Sequence, residues 1–323
     1  MSTLHTNKGD LYPVLESFLC EHEVVDVFAA FIKYDMLAEV LEMSPGVISR
    51  IVVRWRSEDI IAGVSDLSIY ELCKSFNITL FRNPQLHAKC FLAMNGDCLV
   101  GSANVTSKGL KNEDGSNWEL NTNVDKIGFK SRAILDAIVN DSVLVTEDWV
   151  DMANSLLPLD YDQSNLGNDL KAHFSKRGLA ESFLISALPM SHHPELLWEL
   201  YTGERILANA EMNAAAHDIA LYSLFGDYEC AEHFLKILGG MFNSHPFISK
   251  LLDWLKDNGS TNYGRVVRWI QNNCTQVPIP RSWDLKQRQV VNILFDWICY
   301  FDEAFTWSRP NHSQVIFYNS QDK

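Results

Sequence analysis

The sequence predicts two parts: an α/β sandwich over residues 1–155, a mixed sheet flanked by helices, and a mainly helical accessory region over 178–323. Residues 156–177 are expected to link them. Three observations predict this. Up to residue 155, apolar β-branched runs alternate with segments of helical spacing, as in strands returned by helices. The stretch LPLDYDQSNLGND (157–169) is polar and rich in turn formers. From Gly178 onward one helix-period segment follows another.

VVDVFAAF (24–31) is apolar and β-branched, a strand, and YDMLAEVLEM (34–43) has helical spacing. VISRIVVRW (47–55) reads as a second buried strand. SDLSIYELCKSF (65–76) is a helix opened by a Ser or Asp cap, and ITLFR (78–82) the strand after it. AKCFLAM and DCLVGS flank Asn95-Gly96, a two-residue hairpin signal. NWELNTNV (117–124) is a further strand and FKSRAILDAIV (129–139) a helix. Beyond the linker, AESFLISALP, PELLWELY, AEMNAAAHDIALYSLF, AEHFLKILGGMF and ISKLLDWLKDN are helical, without a fixed repeat. YGRVVRWIQNN and WDLKQRQVVNILFDWICYF are amphipathic helices before AFTWSRPNHSQVIFY, whose two β-like runs flank Arg309-Pro310-Asn311. Three helices and a hairpin suggest a winged helix over about 245–320.

Composition narrows the function classes. With 323 residues, 47% hydrophobic and 11% aromatic, the chain is long and apolar enough for two cores rather than disorder. Seven scattered cysteines without a Cys-x-x-Cys pair argue against a disulfide framework or a zinc site, and for buried thiols in a reducing compartment. The opening MSTLHTNKGDLYP has no apolar run behind a basic start, so no signal peptide is expected. No stretch has the roughly 20 apolar residues of a membrane span, and a cytoplasmic protein without a membrane partner is expected. The net charge of −14 runs against a nucleic-acid partner, but it is unevenly placed. Residues 1–50 carry 3 basic and 8 acidic side chains, 51–100 carry 5 and 5, and 251–323 carry 8 and 7. The acidity therefore lies mostly away from the stretch that carries the chemistry. It serves solubility, or it faces a protein partner through the acidic helical C-terminal region.

That stretch is LHAKCFLAMNGDCLVGSAN (86–104). Alternation on a strand points His87 and Lys89 the same way, with Ala88 and Cys90 on the other side. The hairpin brings Gly101, Ser102 and Asn104 back to the same sheet end. Glycine permits close backbone approach, while hydroxyl and amide supply uncharged donors. An ammonium, an imidazole, a hydroxyl and an amide converging there make a phosphate pocket. A free imidazole nitrogen can attack phosphorus, splitting one displacement into two through a phosphohistidine, while Lys89 and the polar donors stabilise the equatorial oxygens.

His87-x-Lys89, with Gly101-Ser102-x-Asn104 starting twelve positions after the lysine, resembles the HKD motif of the phospholipase D superfamily. The resemblance runs from about residue 20 to 140 and takes in VVRWRSEDIIAGVSDLSIYEL before the motif and NVTSKGL…NWEL after it. Those flanks are more like the bacterial nucleases and restriction-type endonucleases of the superfamily than its lipid-cleaving members. The resemblance implies a phospholipase D-like sandwich for the first domain. It also implies that Glu119, in NWEL, accepts a hydrogen bond from the nucleophilic histidine and fixes its tautomer. In that family Asp usually stands five residues after the lysine. Here that position is Met94, and Asp97 lies three further on, beyond the turn. The departure bears on efficiency more than on reaction type.

Only one such motif occurs, and the other nine histidines lack a His-x-Lys partner. The chemistry still needs an acid for the leaving oxygen. Single-motif members of the family supply it by dimerising, so the resemblance implies a homodimer with one site on its two-fold axis. No metal or cofactor is expected, since the lysines and donors offset the phosphate charge.

Further candidates stand beside this core. Arg54 and Arg56, which bracket Trp55, and Arg82 could hold flanking phosphates or solvate the rim. Lys108, in TSKGL, follows the Ser/Asn loop directly. Arg265, Arg268, Arg281, Lys286 and Arg288 could form a basic face on the winged helix, or a solvated helix face. His192 and His193 precede Pro194 at a helix start and read as capping or surface residues, and the tryptophans of the C-terminal half read as core. Three functions follow. The first is a metal-independent nuclease acting on DNA or RNA through a His87 phosphohistidine, in a bacterial restriction or antiphage setting. The second is a phospholipase or phosphatidyl transferase. The third is a catalytically weakened subunit that keeps the phosphate pocket and assembles with other proteins of a defence complex.

Overall fold

The computed structural model describes residues 4–157, 188–273, 287–310 and 313–319. These divide into two compact units, one of residues 4–128 with 141–157, the other of residues 129–140 with 188–319.

The first unit is built on an eight-stranded mixed sheet. Its elements are β1 (Leu4–Thr6), α1 (Leu11–Glu21), β2 (Val25–Ala29), α2 (Tyr34–Met43), β3 (Ile48–Val53), α3 (Ser57–Ile61), α4 (Ile69–Ser75) and β4 (Thr79–Arg82). β5 (Lys89–Ala93), β6 (Cys98–Gly101), α5 (Ser107–Leu110) and β7 (Leu120–Val124) follow. After α6 (Phe129–Asn140) the chain returns with β8 (Val143–Leu144) and α7 (Glu147–Leu156). The strand order is β1-β7-β6-β5-β2-β3-β4-β8. β2, β3 and β4 are parallel, as helical crossovers require, and β5, β6 and β7 form an antiparallel meander on the other side of β2.

The pattern of each strand explains its place. Val25, Val27 and Ala29 of β2, Ile51 and Val53 of β3, and Phe91 and Ala93 of β5 join one core with Leu11 and Leu15 of α1 and Met36, Leu37, Val40 and Leu41 of α2. The intervening residues Asp26, Phe28, Val52, Cys90 and Leu92 are also buried. A strand buried on both faces reads as one apolar run, which is how VVDVF reads. The hairpin between β5 and β6 is real, but its turn is not the two-residue one expected at Asn95-Gly96. Gly96 N–H donates to the Ala93 carbonyl at 3.0 Å and Ala93 N–H to the Asp97 carbonyl at 2.8 Å. Only Gly96 enters the left-handed region there, at φ +95. Asn95 instead accepts the Asp97 N–H on its side-chain oxygen at 3.0 Å, which holds it in the turn without a positive φ.

In the second unit α6 lies along α9 (Asn209–Leu221) and groups with the later residues. The approach rests on small side chains: Ala133 of α6 and Ala214, Ala215 and Ala216 of α9 belong to one core. Its further helices are α8 (Leu197–Thr202), α9 (Asn209–Leu221), α10 (Ala231–Ser244), α11 (Pro246–Asn258), α12 (Tyr263–Asn273) and α13 (Gln287–Phe301). Short strands β9 (Ser260–Asn262), β10 (Phe305–Ser308) and β11 (Val315–Tyr318) form an antiparallel sheet in the order β10-β11-β9. The region is mainly helical with this small sheet, and β10 and β11 pair as the hairpin expected there. Asp218 is fully buried and accepts from Met190 N–H and Ser191 N–H, each at 2.8 Å, and from Ser191 Oγ at 2.5 Å. Its charge is compensated by donors, which fixes the 190–191 turn. Val290, Ile293, Leu294, Trp297 and Ile298 bury α13 as a core helix. Arg268 is exposed, and Arg265 donates to Asn258 Oδ1 at 2.7 Å. Arg281, Lys286 and the Arg288 side chain lie outside the described residues, as do AESFLISA and most of the expected linker.

Candidate active site

Three parallel strands end at one edge of the first sheet, where the return strands begin. β2 ends at Ala29, opposite Lys89 at the start of β5. Cys90 faces Val100 of β6, and Gly101 at the end of β6 faces Asn121 of β7. The loops beyond these strand ends carry His87, Ser102 and Asn104, while Arg54 directly follows β3 and β4 ends in Arg82. Open α/β sheets bind ligands at such an edge, where backbone groups leave the ladder and side chains can converge.

His87 is exposed and Lys89 buried, at 8% exposure. Lys89 Nζ donates to the His87 carbonyl at 2.7 Å and lies 3.1 Å from the ring's Nδ1. The ammonium is the main reason that the His87 pKa falls below its usual 6.5, with burial, Arg54 and Arg56 adding to it. The ring is thereby held neutral, with a lone pair to use. Burial also lowers the Lys89 pKa, helped by Arg54 and opposed by Glu119. His87, Lys89, Arg54, Arg56 and Glu119 thus share one electrostatic neighbourhood.

Ser102 and Glu119 form the second half. Ser102 Oγ donates to Glu119 Oε2, and Asn117 Nδ2 donates to Glu119 Oε1 at 3.0 Å. Glu119 is 7% exposed. Its backbone N–H donates to Asn7 Oδ1 at 3.1 Å, and Asn7 Nδ2 donates to the carbonyl of Asn117 at 3.0 Å and of Lys108 at 3.3 Å. The expected partnership changes here: within one chain Glu119 holds Ser102 and Asn117, while the His87 ring lies against Lys89. Asn104 Oδ1 accepts the Phe31 N–H at 3.0 Å and so ties its loop to the end of β2. The resulting site joins a neutral imidazole, an ammonium, and a hydroxyl oriented by a carboxylate.

The supporting candidates separate. A Cβ on Gly101 would stand 2.3 Å from the Leu120 carbonyl oxygen and 2.6 Å from Asn121 Cα, so the close approach it allows is that of β7. Arg54 is committed to Asp59, donating from Nε at 2.8 Å and from its terminal nitrogen at 2.5 Å, and stacks over Phe31 at 4.6 Å. Arg56 is exposed and donates to the Pro84 carbonyl at 2.6 Å. Between them Trp55 is fully buried with φ +34, a conformation few large residues adopt. It stacks on Trp149 at 5.8 Å. Arg82 is not a rim residue: it is 1% exposed, lies over the Trp149 ring at 5.2 Å, and burial pushes its pKa down to about 10. Lys108 is exposed. His192 lies 3.0 Å from Asp296, and His193 3.0 Å from Glu195.

Met94 lies at the far end of β5, five residues of extended chain or about 16 Å from Lys89. It cannot touch a phosphate held at His87. Asp97 does a structural task beside it, accepting from Asn95 Nδ2 at 2.6 Å and Lys126 N–H at 3.0 Å, with His22 Nε2 at 3.2 Å. Asn7, Asn117 and Asp59 escaped the sequence reading. Asn117 had a faint signal, two residues from Glu119 and so on its side of an extended chain. Asn7 had none, since it acts 112 positions away from Glu119.

No family model matches the chain, and no curated protein does. Among solved structures, NucT from Helicobacter pylori is similar at 16% identity and a TM-score of 0.36, over 45% of this chain and 99% of that one. Nuc from Salmonella typhimurium, described as a phospholipase D family member, is similar at 14% identity and 0.36, over 46% and 100%. At these values the likenesses carry no functional argument.

Proposed function

We propose that the chain is a metal-independent phosphodiesterase, a nuclease acting on DNA or RNA through a phosphohistidine. The observation that carries this is the exposed His87 imidazole kept neutral by Lys89, beside a Ser102 hydroxyl oriented by Glu119. A neutral ring nitrogen attacks phosphorus; the N–P bond forms as the P–O bond to the leaving oxygen breaks. Lys89 stabilises the negative charge on the phosphoryl oxygens, with the side-chain amide N–H of Asn104, whose Oδ1 is taken by the Phe31 N–H, as the uncharged donor beside it. A proton passes to the leaving oxygen from a general acid; in a homodimer whose two-fold axis crosses the site, His87 of a second copy serves, the negative charge of the bound phosphate favouring a proton on that second ring. That imidazole, now neutral, takes a proton from water, whose oxygen displaces His87 and releases the phosphate.

The position of Met94, remote from His87, removes the main support for a catalytically weakened subunit. The restriction or antiphage setting rests on the flanking sequence resemblance alone, as does the idea that the second unit recruits DNA or a protein partner. No described helix is long and apolar enough to cross a membrane.

The test is plasmid cleavage in excess EDTA. Nicking that survives chelation, vanishes in His87→Ala and yields an acid-labile phosphohistidine in rapid quench supports the reading. Cleavage that persists in His87→Ala overturns it. Light scattering tests the dimer, and a strictly monomeric active enzyme would require a different acid.

A further inference from the structure

We propose that Trp118 is a stacking platform for an unpaired nucleobase beside the phosphate site, so that the substrate is single-stranded nucleic acid; this rests on the nuclease reading. Trp118 is 84% exposed, and it directly precedes the carboxylate that orients Ser102. An exposed indole costs apolar hydration unless something covers it.

The backbone around this ring is fixed. On one side Asn117 N–H donates to the Lys108 carbonyl at 3.0 Å, and the Asn117 carbonyl accepts from Asn7 Nδ2 at 3.0 Å. On the other, Glu119 N–H donates to Asn7 Oδ1 at 3.1 Å. Little backbone freedom is left to lose on binding. Lys8 Nζ stands 5.8 Å from the ring centroid and is itself held by the Ser116 carbonyl at 3.1 Å. Leu120, 57% exposed, follows two residues on and extends the apolar surface on the same side.

The charge pattern selects the occupant. A ring face flanked by Lys8, one residue along the chain from Glu119, matches a ligand that alternates flat apolar rings with anions. Glu113 and Asp114, exposed on the same loop, repel phosphates from its tip and leave the Lys8 side as the route. A base inside a duplex has both faces stacked and offers only edges, so an indole platform discriminates for single strands.

The experiment uses the full chain as His87→Ala in EDTA, so that binding is read without cleavage. Fluorescein-labelled oligo(dT) and a blunt-ended duplex of equal length, annealed from two strands, are titrated and followed by anisotropy. Adding Trp118→Ala is expected to weaken the single strand about 5- to 100-fold and the duplex less than about twofold, with Trp118→Phe restoring most of the loss. Equal binding by the Trp118→Ala and parent chains overturns the proposal. So does a Trp118→Ala chain that sediments as a smaller species than its parent, since the indole would then belong to a contact between copies. A chain that binds through Trp118 but never cleaves sinks the nuclease reading alone; a chain that cleaves and ignores Trp118 sinks only this one.

Discussion

Lys89 Nζ lies 3.1 Å from His87 Nδ1 while donating to the His87 carbonyl, so one buried cation grips the backbone of the histidine and faces its ring. Lys89 therefore holds the imidazole neutral as well as facing the phosphate. Lys89→Met should raise the His87 pKa toward 6.5, read by NMR titration of the ring. In the parent enzyme one His87 of the pair must be neutral and the other protonated, so kcat/KM should be bell-shaped in pH, falling on the acid side as the nucleophile's lowered pKa is passed and on the basic side as the second ring loses its proton. A His87 titration unmoved by Lys89→Met would assign the shift to Arg54, Arg56 and burial instead.

Glu119→Gln keeps the size of the side chain and removes the charge that Ser102 Oγ meets. A charge-assisted hydrogen bond is worth roughly 1.5–3 kcal/mol, so kcat/KM should fall about 10- to 100-fold. The melting temperature should change little, because Asn7 and Asn117 still pin the segment. Steady-state hydrolysis of a chromogenic phosphodiester beside a thermal melt separates the two effects.

Gly101→Ala should damage the fold before the chemistry. Its Cβ would meet the Leu120 carbonyl oxygen at 2.3 Å and Asn121 Cγ at 2.5 Å, so β6 and β7 must separate. Overpacking of this kind costs about 1–3 kcal/mol or more, and urea denaturation should show at least that loss.

Met94→Asp should leave the rate within about twofold of the parent, because the position stands at the wrong end of β5 for phosphate. A large gain in kcat would show that the aspartate acts at long range after all.

Asp97→Asn should loosen the hairpin. Burial alone would raise the Asp97 pKa, but hydrogen bonds from His22, Asn95 and the Lys126 N–H outweigh it and hold the carboxyl below 3.8. A carboxyl lowered in the folded state contributes stability that is present above 3.8 and lost as pH falls through the folded value. The stability gap between parent and Asp97→Asn should therefore be about 1–2 kcal/mol near neutrality and shrink in acid, measured by chemical denaturation.

Much of the first unit was legible because its strands and helices announce themselves locally. VVDVF, ISRIVV and TLFR are apolar and β-branched, and YDMLAEVLEM repeats at helical spacing. β1 and β8 escaped notice because three- and two-residue edge strands have no period to detect. The hairpin was legible, but its turn was not: Asn-Gly fits several turns, and the Asn95–Asp97 contacts decided between them.

The sequence by itself determined which groups would meet at one sheet edge. Lys89 opens β5 and Gly101 closes β6, so the hairpin leaves His87, Ser102 and Asn104 in the loops beyond the same strand ends. Tertiary structure alone decided what each group does there. Only folding set Lys89 against the His87 ring, gave Glu119 to Ser102, committed Arg54 to Asp59, buried Arg82, and put Asn7 under a loop more than a hundred residues away. The physical reason is range. Strand direction is a local property of the backbone, while hydrogen-bond partners and desolvation depend on whichever distant segment the fold brings within about 3 Å.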